Sequence, residues 1–260
     1  MVHIVQEAGE ILKEGYFSSK EVHKKGSVDL VTEFDLKIEA FLKERLLKKY
    51  RGFSFVGEES FDGEIPKRAI FVDPIDGTTN FVHKIAYTCI SVAVWEDGEP
   101  IEGAIYNPIL DELFYAKRGD GAFLNEEPID VSKSSKLIDA LLATGFPYTK
   151  IERGRDYRFV IESMERLLPK SRDIRRLGSA AIDLAYVACG RFEGFYEVNL
   201  KPWDVAAGIL LVEEAGGRVT NHLGEPYRFG DIIVASNGYI HEELIANLGR
   251  WEVTAPRTTR

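Results

Sequence analysis

The run Asp73-Pro74-Ile75-Asp76-Gly77-Thr78-Thr79-Asn80 sets two carboxylates three residues apart and follows them with a turn residue and two hydroxyls. Carboxylate and carbonyl oxygens are the ligands a hard cation such as Mg²⁺ prefers, and that ion keeps places for water and a substrate phosphate. Ordinary turn chemistry is the competing explanation, since Asp caps turns and helices and Asp-Gly is a common loop pair. Further acids weigh toward chemistry. Asp35, the pair Glu58-Glu59 and Asp204 each follow a strand-like run or open a helix-like one. Together with Asp73 and Asp76 they make a six-acid set that would repel a phosphate unless divalent cations neutralised it.

The elements that must position these acids are legible from periodicity. Ala69 to Val72 is continuously apolar and reads as a buried strand delivering Asp73 at its end. Pro74 fixes φ and Gly77 permits a left-handed or close-approach turn, so both carboxylates can converge. Val5, Ala8, Ile11, Leu12 and Tyr16 fall at helical spacing, as do Ile38, Phe41, Leu42 and Leu46. A polar loop, Ser18 to Asp29, joins those two helices and includes a basic turn at Lys24-Lys25-Gly26. Thr32 and Asp35 form a capping-box pattern at the second helix, which is the structural alternative to a catalytic Asp35. Thr88 to Ile129 alternates with period two between frequent turns and predicts an antiparallel meander. Beyond Asp139 strands and helices alternate, with helices over Arg155 to Leu168, Ser179 to Cys189 and Asp204 to Ala215. Gly77-Thr78-Thr79 and Gly178-Ser179-Ala180 offer backbone donors to an anion at helix starts, although Ser179 also fits a plain N-cap.

Composition bounds the classes. A chain of 260 residues with 45% hydrophobic content can bury a large core. A net charge of -9 argues against a general nucleic-acid surface. Glu7, Glu10, Lys13 and Glu14 break up the apolar N-terminus, and no stretch is apolar for the length of a membrane span, so a soluble cytoplasmic protein is expected. Cys89 and Cys189 sit in apolar contexts and read as two buried free thiols. A lone glutamine, Gln6, two Met and abundant Glu and Lys hint at a thermophile. His83 follows the acidic motif, whereas His3, His23, His222 and His241 show no ligand spacing.

The segments Asp73 to Phe81 and Trp203-Asp204-Val205-Ala206-Ala207-Gly208 resemble the two signatures of the inositol monophosphatase family, the lithium-sensitive, Mg²⁺-dependent phosphatases. Glu58-Glu59, Gly178-Ser179-Ala180 and Glu213 to Gly217 extend the similarity in the same order, to about Leu248. The resemblance implies the αβαβα sandwich of the sugar phosphatases, an α/β or layered α+β fold. One family-like domain would span 1–260, with an α+β lobe over about 1–135 and an α/β lobe over about 136–250. It implies two or three Mg²⁺ ions, the first held by Glu58, Asp73 and the Ile75 carbonyl, the second by Asp73, Asp76 and Asp204. Catalysis would fall to Thr78, oriented by Asp35, with Glu58, through direct attack of metal-activated water and no covalent enzyme intermediate. Gly77, Thr79, Gly178, Ser179, Ala180, Glu197 and Asp204 would contact substrate, with Glu197 accepting from inositol hydroxyls. A strand-end acid is the plainer reading of Glu197. Arg172, Arg175 and Arg176 could instead recognise a second phosphate, as in fructose 1,6-bisphosphate or a nucleotide 3′-phosphate. The resemblance further implies a homodimer, a small sugar or inositol phosphate as partner, and a mobile Lys24 to Gly26 loop near the metals. It also embraces bacterial relatives that act in transcription complexes, so an interaction role stands as the other class.

Overall fold

The computed structural model describes residues 1–24 and 30–251. Two helices, α1 (Val2–Phe17) and α2 (Glu33–Lys49), frame a two-stranded antiparallel ribbon of β1 (Val22–Lys24) and β2 (Leu30–Thr32). The ribbon replaces part of the polar loop expected there, and residues 25–29 of that loop, with Lys25 and Gly26, lie outside the described residues. Thr32 caps α2 in the reciprocal arrangement that its spacing to Asp35 predicts: Asp35 Oδ2 accepts from the Thr32 N–H and hydroxyl, and Thr32 Oγ1 accepts from the Phe34 N–H.

A seven-stranded sheet follows the chain order β3 (Ser54–Gly57), β4 (Arg68–Asp76), β5 (Cys89–Glu96), β6 (Glu99–Asn107), β7 (Glu112–Lys117), β8 (Gly121–Leu124) and β9 (Glu127–Ile129). Only the β3–β4 pair is parallel, and β5 to β9 form the predicted meander. A short helix, α3 (Thr78–Val82), leaves the end of β4. The second sheet has the order β11 (Asp173–Arg175), β10 (Leu141–Thr144), β12 (Gly194–Glu197), β14 (Ile233–Ser236), β13 (Arg218–Asn221), with β10 parallel to both neighbours and β14 antiparallel to both of its own. Helices α4 (Arg155–Leu167), α5 (Ala180–Ala188), α6 (Pro202–Glu214) and α7 (His241–Ala246) complete the chain.

Side-chain alternation decides the layering. On β4, Ile70 and Val72 pack with Leu12, Ile38, Leu42 and Leu46 of α1 and α2, whereas Ala69 and Phe71 face the opposite cluster of α5 and α6. Those two helices also meet Ala143, Phe195, Ile233 and Ala235 of the second sheet. That sheet's far face, Leu142, Tyr196 and Val234, is covered by Phe159 and Val160 of α4 and Leu244 of α7. The layers therefore run αβαβα. Lying between two sheets, α5 and α6 bury apolar residues on every face, from Val205 to Val212 in α6 and from Ala180 to Ala188 in α5, where Asp183 is the exception in type. Small residues let them approach: a Cβ added at Gly208 would stand 2.5 Å from Leu184 side-chain atoms.

Three details differ from the sequence-based expectation. Strand β4 continues through Asp76 instead of ending at Asp73, because a bulge at Pro74 and Ile75 absorbs the residue that has no backbone donor. Helix α6 opens at Pro202, with Asp204 in its first turn, since proline is suited to a helix start. Cys89 is buried as expected, but Cys189, at the C-terminal end of α5, is only partly so.

Candidate active site

Asp73 and Asp76 flank the β4 bulge, paired respectively with Ser91 and Cys89 on β5. Asp73 Oδ1 accepts the Ile75 N–H at 3.0 Å, which folds the bulge around its own carboxylate. Gly77 then turns the chain at φ 82°, and a Cβ there would lie 2.9 Å from the Tyr87 carbonyl oxygen, so both the dihedral and the close approach require glycine. Asn80 fixes this corner by donating from Nδ2 to the carbonyls of Tyr87 and Leu177, at 2.6 and 2.8 Å. The second of those bonds ties α3 to the approach to α5.

Asp76 turns toward the N-terminal end of α5. Its Oδ2 accepts from Ser179 Oγ at 2.6 Å and from the Ala181 N–H at 2.7 Å. Ser179 is also the N-cap of α5, its Oγ accepting from the Ile182 N–H. Both uses of that hydroxyl are internal, so Ser179 reaches the cleft as the support of Asp76. The N-cap reading holds, and Ser179 lines the cleft as well.

The other predicted residues arrive from four directions. Glu58 follows β3, its N–H bonded to the Val72 carbonyl, and approaches Asp73 closely enough to hydrogen-bond. Asp204 Oδ2 accepts the Lys201 N–H at 2.7 Å, while another edge of the residue stays open to the cleft. Thr78 Oγ1 lies 3.0 Å from the Ile75 carbonyl and 3.4 Å from Asp35 Oδ1. Asp35 thus serves the helix cap with one oxygen and faces Thr78 with the other, and its two readings are compatible. Glu59 does not line the cleft; its N–H donates to Glu39 Oε2 at 2.8 Å. The cleft lining therefore keeps four of the six acids, since Asp35 is also absent from it and meets the cleft through Thr78.

A cleft of about 310 Å³ is lined by Glu58, Asp73, the Ile75 backbone, Asp76, Gly77, Thr78, Thr79, Gly178, Ser179, Ala180, Glu197 and Asp204, together with Gly145, Phe146, Tyr148, Lys150, Arg176, Asp183 and Leu200. Of the three arginines considered for a second phosphate, only Arg176 reaches it, lying over the Phe146 ring. Arg172 pairs with Asp139 and Arg175 with Asp173, away from the cleft. His83 does not line it either. A larger cavity of about 520 Å³ beside Phe71, Trp95, Tyr227 and Phe229 contains none of the clustered acids, so chemistry places the site in the smaller one.

Sequence reasoning missed Glu39, the role of Asn80, and Asp183. Glu39 stands four residues after Asp35, on the same helix face, and that spacing is its signal. Asp183 is an acid inside an otherwise apolar helix, a pattern that marks a buried polar group.

Burial drives the electrostatics. It pushes the Asp73 carboxyl well above the usual range, and Glu58, Asp76 and Asp204 push it further. Asp204 is raised by burial and then by Asp76. Burial also raises Asp76, opposed by hydrogen bonds from Ser179 and the backbone of α5 and Gly77. Glu197 is pushed up to about 8 by burial, against the pull of the Arg176 guanidinium. Two buried acids raised by neighbouring acids, beside a third raised by burial, are a site short of positive charge. Among the described residues no group of three or more Asp, Glu, His or Cys side chains is gathered so as to hold a metal ion by side chains alone. Mg²⁺ suits that arrangement, for it is bound by one or two carboxylates with a carbonyl, waters and substrate phosphate completing its shell. The all-oxygen donor set therefore fits the ion.

A model of the "Inositol monophosphatase family" matches residues 1–251. The chain belongs to the inositol monophosphatase family. Among its relatives, an inositol-1-monophosphatase from Rhizobium meliloti is 41% identical over 94% of this chain and 92% of its own. The Nus factor SuhB of Escherichia coli is 38% identical over 95% and 93%. The solved structure of the Thermotoga maritima IMPase superposes with a TM-score of 0.86 at 35% identity, covering 95% of this chain and 94% of that one.

Proposed function

We propose that this family member is a Mg²⁺-dependent phosphomonoester hydrolase acting on inositol monophosphates and related sugar phosphates. The observation that carries the proposal is the convergence of Asp73, Asp76 and Asp204 in one cleft, each raised by burial and two of them raised by neighbouring acids. Glu58, Asp73, the Ile75 carbonyl, Asp76 and Asp204 are the residues that would hold the cations. Bound there, Mg²⁺ supplies the positive charge that offsets these acids, polarises a phosphoryl oxygen and makes water a stronger nucleophile. Asp35 orients the Thr78 hydroxyl, which accepts from the attacking water and relays a proton. Glu58 acts beside them as the third catalytic group. Gly77 and Thr79 present donors to the phosphate, with Gly178 and Ala180 forming the adjoining wall. Glu197 accepts from a hydroxyl of the leaving polyol. Homodimerisation, lithium sensitivity and a cytoplasmic setting belong to the same proposal, and no helix among the described residues is long and apolar enough to cross a membrane.

Similarity to the Nus factors supports a second reading, in which the chain serves a transcription complex. Lys150 and Arg176 at the cleft support a third, a preference for a bisphosphate. Phosphate release from inositol 1-phosphate, fructose 1,6-bisphosphate and adenosine 3′,5′-bisphosphate, with and without Mg²⁺, separates them. Preference for inositol 1-phosphate, lost in Asp76→Asn, is the expected result. Full activity of that variant refutes the cation assignment, a bisphosphate preference moves the substrate, and no turnover favours the interaction role.

A further inference from the structure

Asp183 is 1% exposed in the first turn of α5, in the layer between the two sheets, and its Oδ1 has no hydrogen-bond partner. A buried carboxyl oxygen left unpaired destabilises a protein, and the rest of α5 shows what the packing alone selects at this depth: Ala, Ile, Leu, Tyr and Val. Asp183 also lines the cleft. It lies one helical turn beyond Ser179, so the two share a face of α5, with Ser179 bonded to Asp76. Its charged neighbours are Glu197, Asp76 and Arg176. Glu197 in turn packs directly on the Gly145 backbone, where a Cβ would fall 1.8 Å from its Oε1.

We propose that Asp183 is a specificity residue for the leaving group, accepting a hydrogen bond from a ring hydroxyl next to the one that Glu197 receives. The inference rests on the polyol-phosphatase reading above. A hydroxyl is the ligand this position suits, because it is a neutral donor that satisfies an acid. A further cation would meet the Arg176 guanidinium in the same wall. Paired acids at Glu197 and Asp183 select a substrate with two adjacent hydroxyls over one that presents an apolar leaving group, since a buried acceptor left unpaired penalises the wrong substrate.

The test compares Asp183→Ala and Asp183→Asn with wild type on inositol 1-phosphate and on phenyl phosphate, at saturating Mg²⁺. The alanine variant is expected to lose about tenfold or more in kcat/KM on inositol 1-phosphate while staying within about twofold on phenyl phosphate. Asparagine, whose amide oxygen still accepts, recovers part of the loss. Thermal unfolding without Mg²⁺ should place the alanine variant at or above wild type, because the Oδ1 oxygen makes no bond in the free protein. Equal losses on both substrates, or unchanged turnover of inositol 1-phosphate, overturn the inference. A wild type that releases no phosphate from inositol 1-phosphate overturns the underlying reading, and this inference with it.

Discussion

His241 begins α7 and is fully buried. Its Nε2 lies 2.8 Å from Thr220 Oγ1 and its Nδ1 2.7 Å from Ser236 Oγ, which joins the last two strands of the second sheet. The hydrogens can be assigned by counting. Thr220 Oγ1 already donates to the Asn221 carbonyl, so it must accept from Nε2–H, and Nδ1 then accepts from the Ser236 hydroxyl. A second ring proton would force that hydroxyl to change from donor to acceptor. Burial, with Arg218 nearby, accordingly lowers the His241 pKa from 6.5 to about 4, against the opposing charge of Glu242. The folded-state value is below the unfolded one, so the stability held by neutral His241 is complete above pH 6.5 and is lost as pH falls toward 4. Over the whole window the loss is up to ~3 kcal/mol, and between pH 7 and pH 5 it is about 2 kcal/mol. Urea unfolding at both pH values, for wild type and His241→Gln, isolates this residue from the other histidines. The variant should be less stable at pH 7 and should lose about 2 kcal/mol less between the two pH values. The same loss in both proteins would refute the assignment of a neutral, doubly hydrogen-bonded imidazole.

Two further substitutions test how the cleft is held. Asn80→Ala leaves the Tyr87 and Leu177 carbonyls without their donor, and should cost ~2–3 kcal/mol in denaturant unfolding while raising KM for phosphomonoesters; an unchanged midpoint and KM would show that the corner holds without the amide. Gly145→Ala should displace the Glu197 carboxyl without unfolding the protein, because the added methyl overlaps a side chain, not the backbone. Its turnover of inositol 1-phosphate should fall about tenfold or more with phenyl phosphate little changed, and a uniform change would mean that Glu197 has no part in selection.

The sequence by itself determined whatever depends on near neighbours along the chain. The Thr32–Asp35 cap, the period-two meander from Cys89 to Ile129, the apolar helices between the sheets and the Asp73 to Asn80 turn are all set by residues a few positions apart, where dihedral preference and side-chain period act directly. The order of layers came from the resemblance to the family, because periodicity shows strands and helices alternating without saying which sheet each helix covers. Tertiary structure alone decided the pairings across long stretches. Ser179 holds Asp76 across 103 residues, Asn80 holds Leu177 across 97, and Glu39 receives the Glu59 N–H across 20. Three neighbouring arginines look alike in the sequence, yet only Arg176 reaches the cleft, since the acids that capture Arg172 and Arg175 are selected by the path of β11. The same limit hid Asp183. Its residue type marks a buried acid, but the unpaired oxygen, and with it the reason for the acid, exists only once α5 is packed between the sheets.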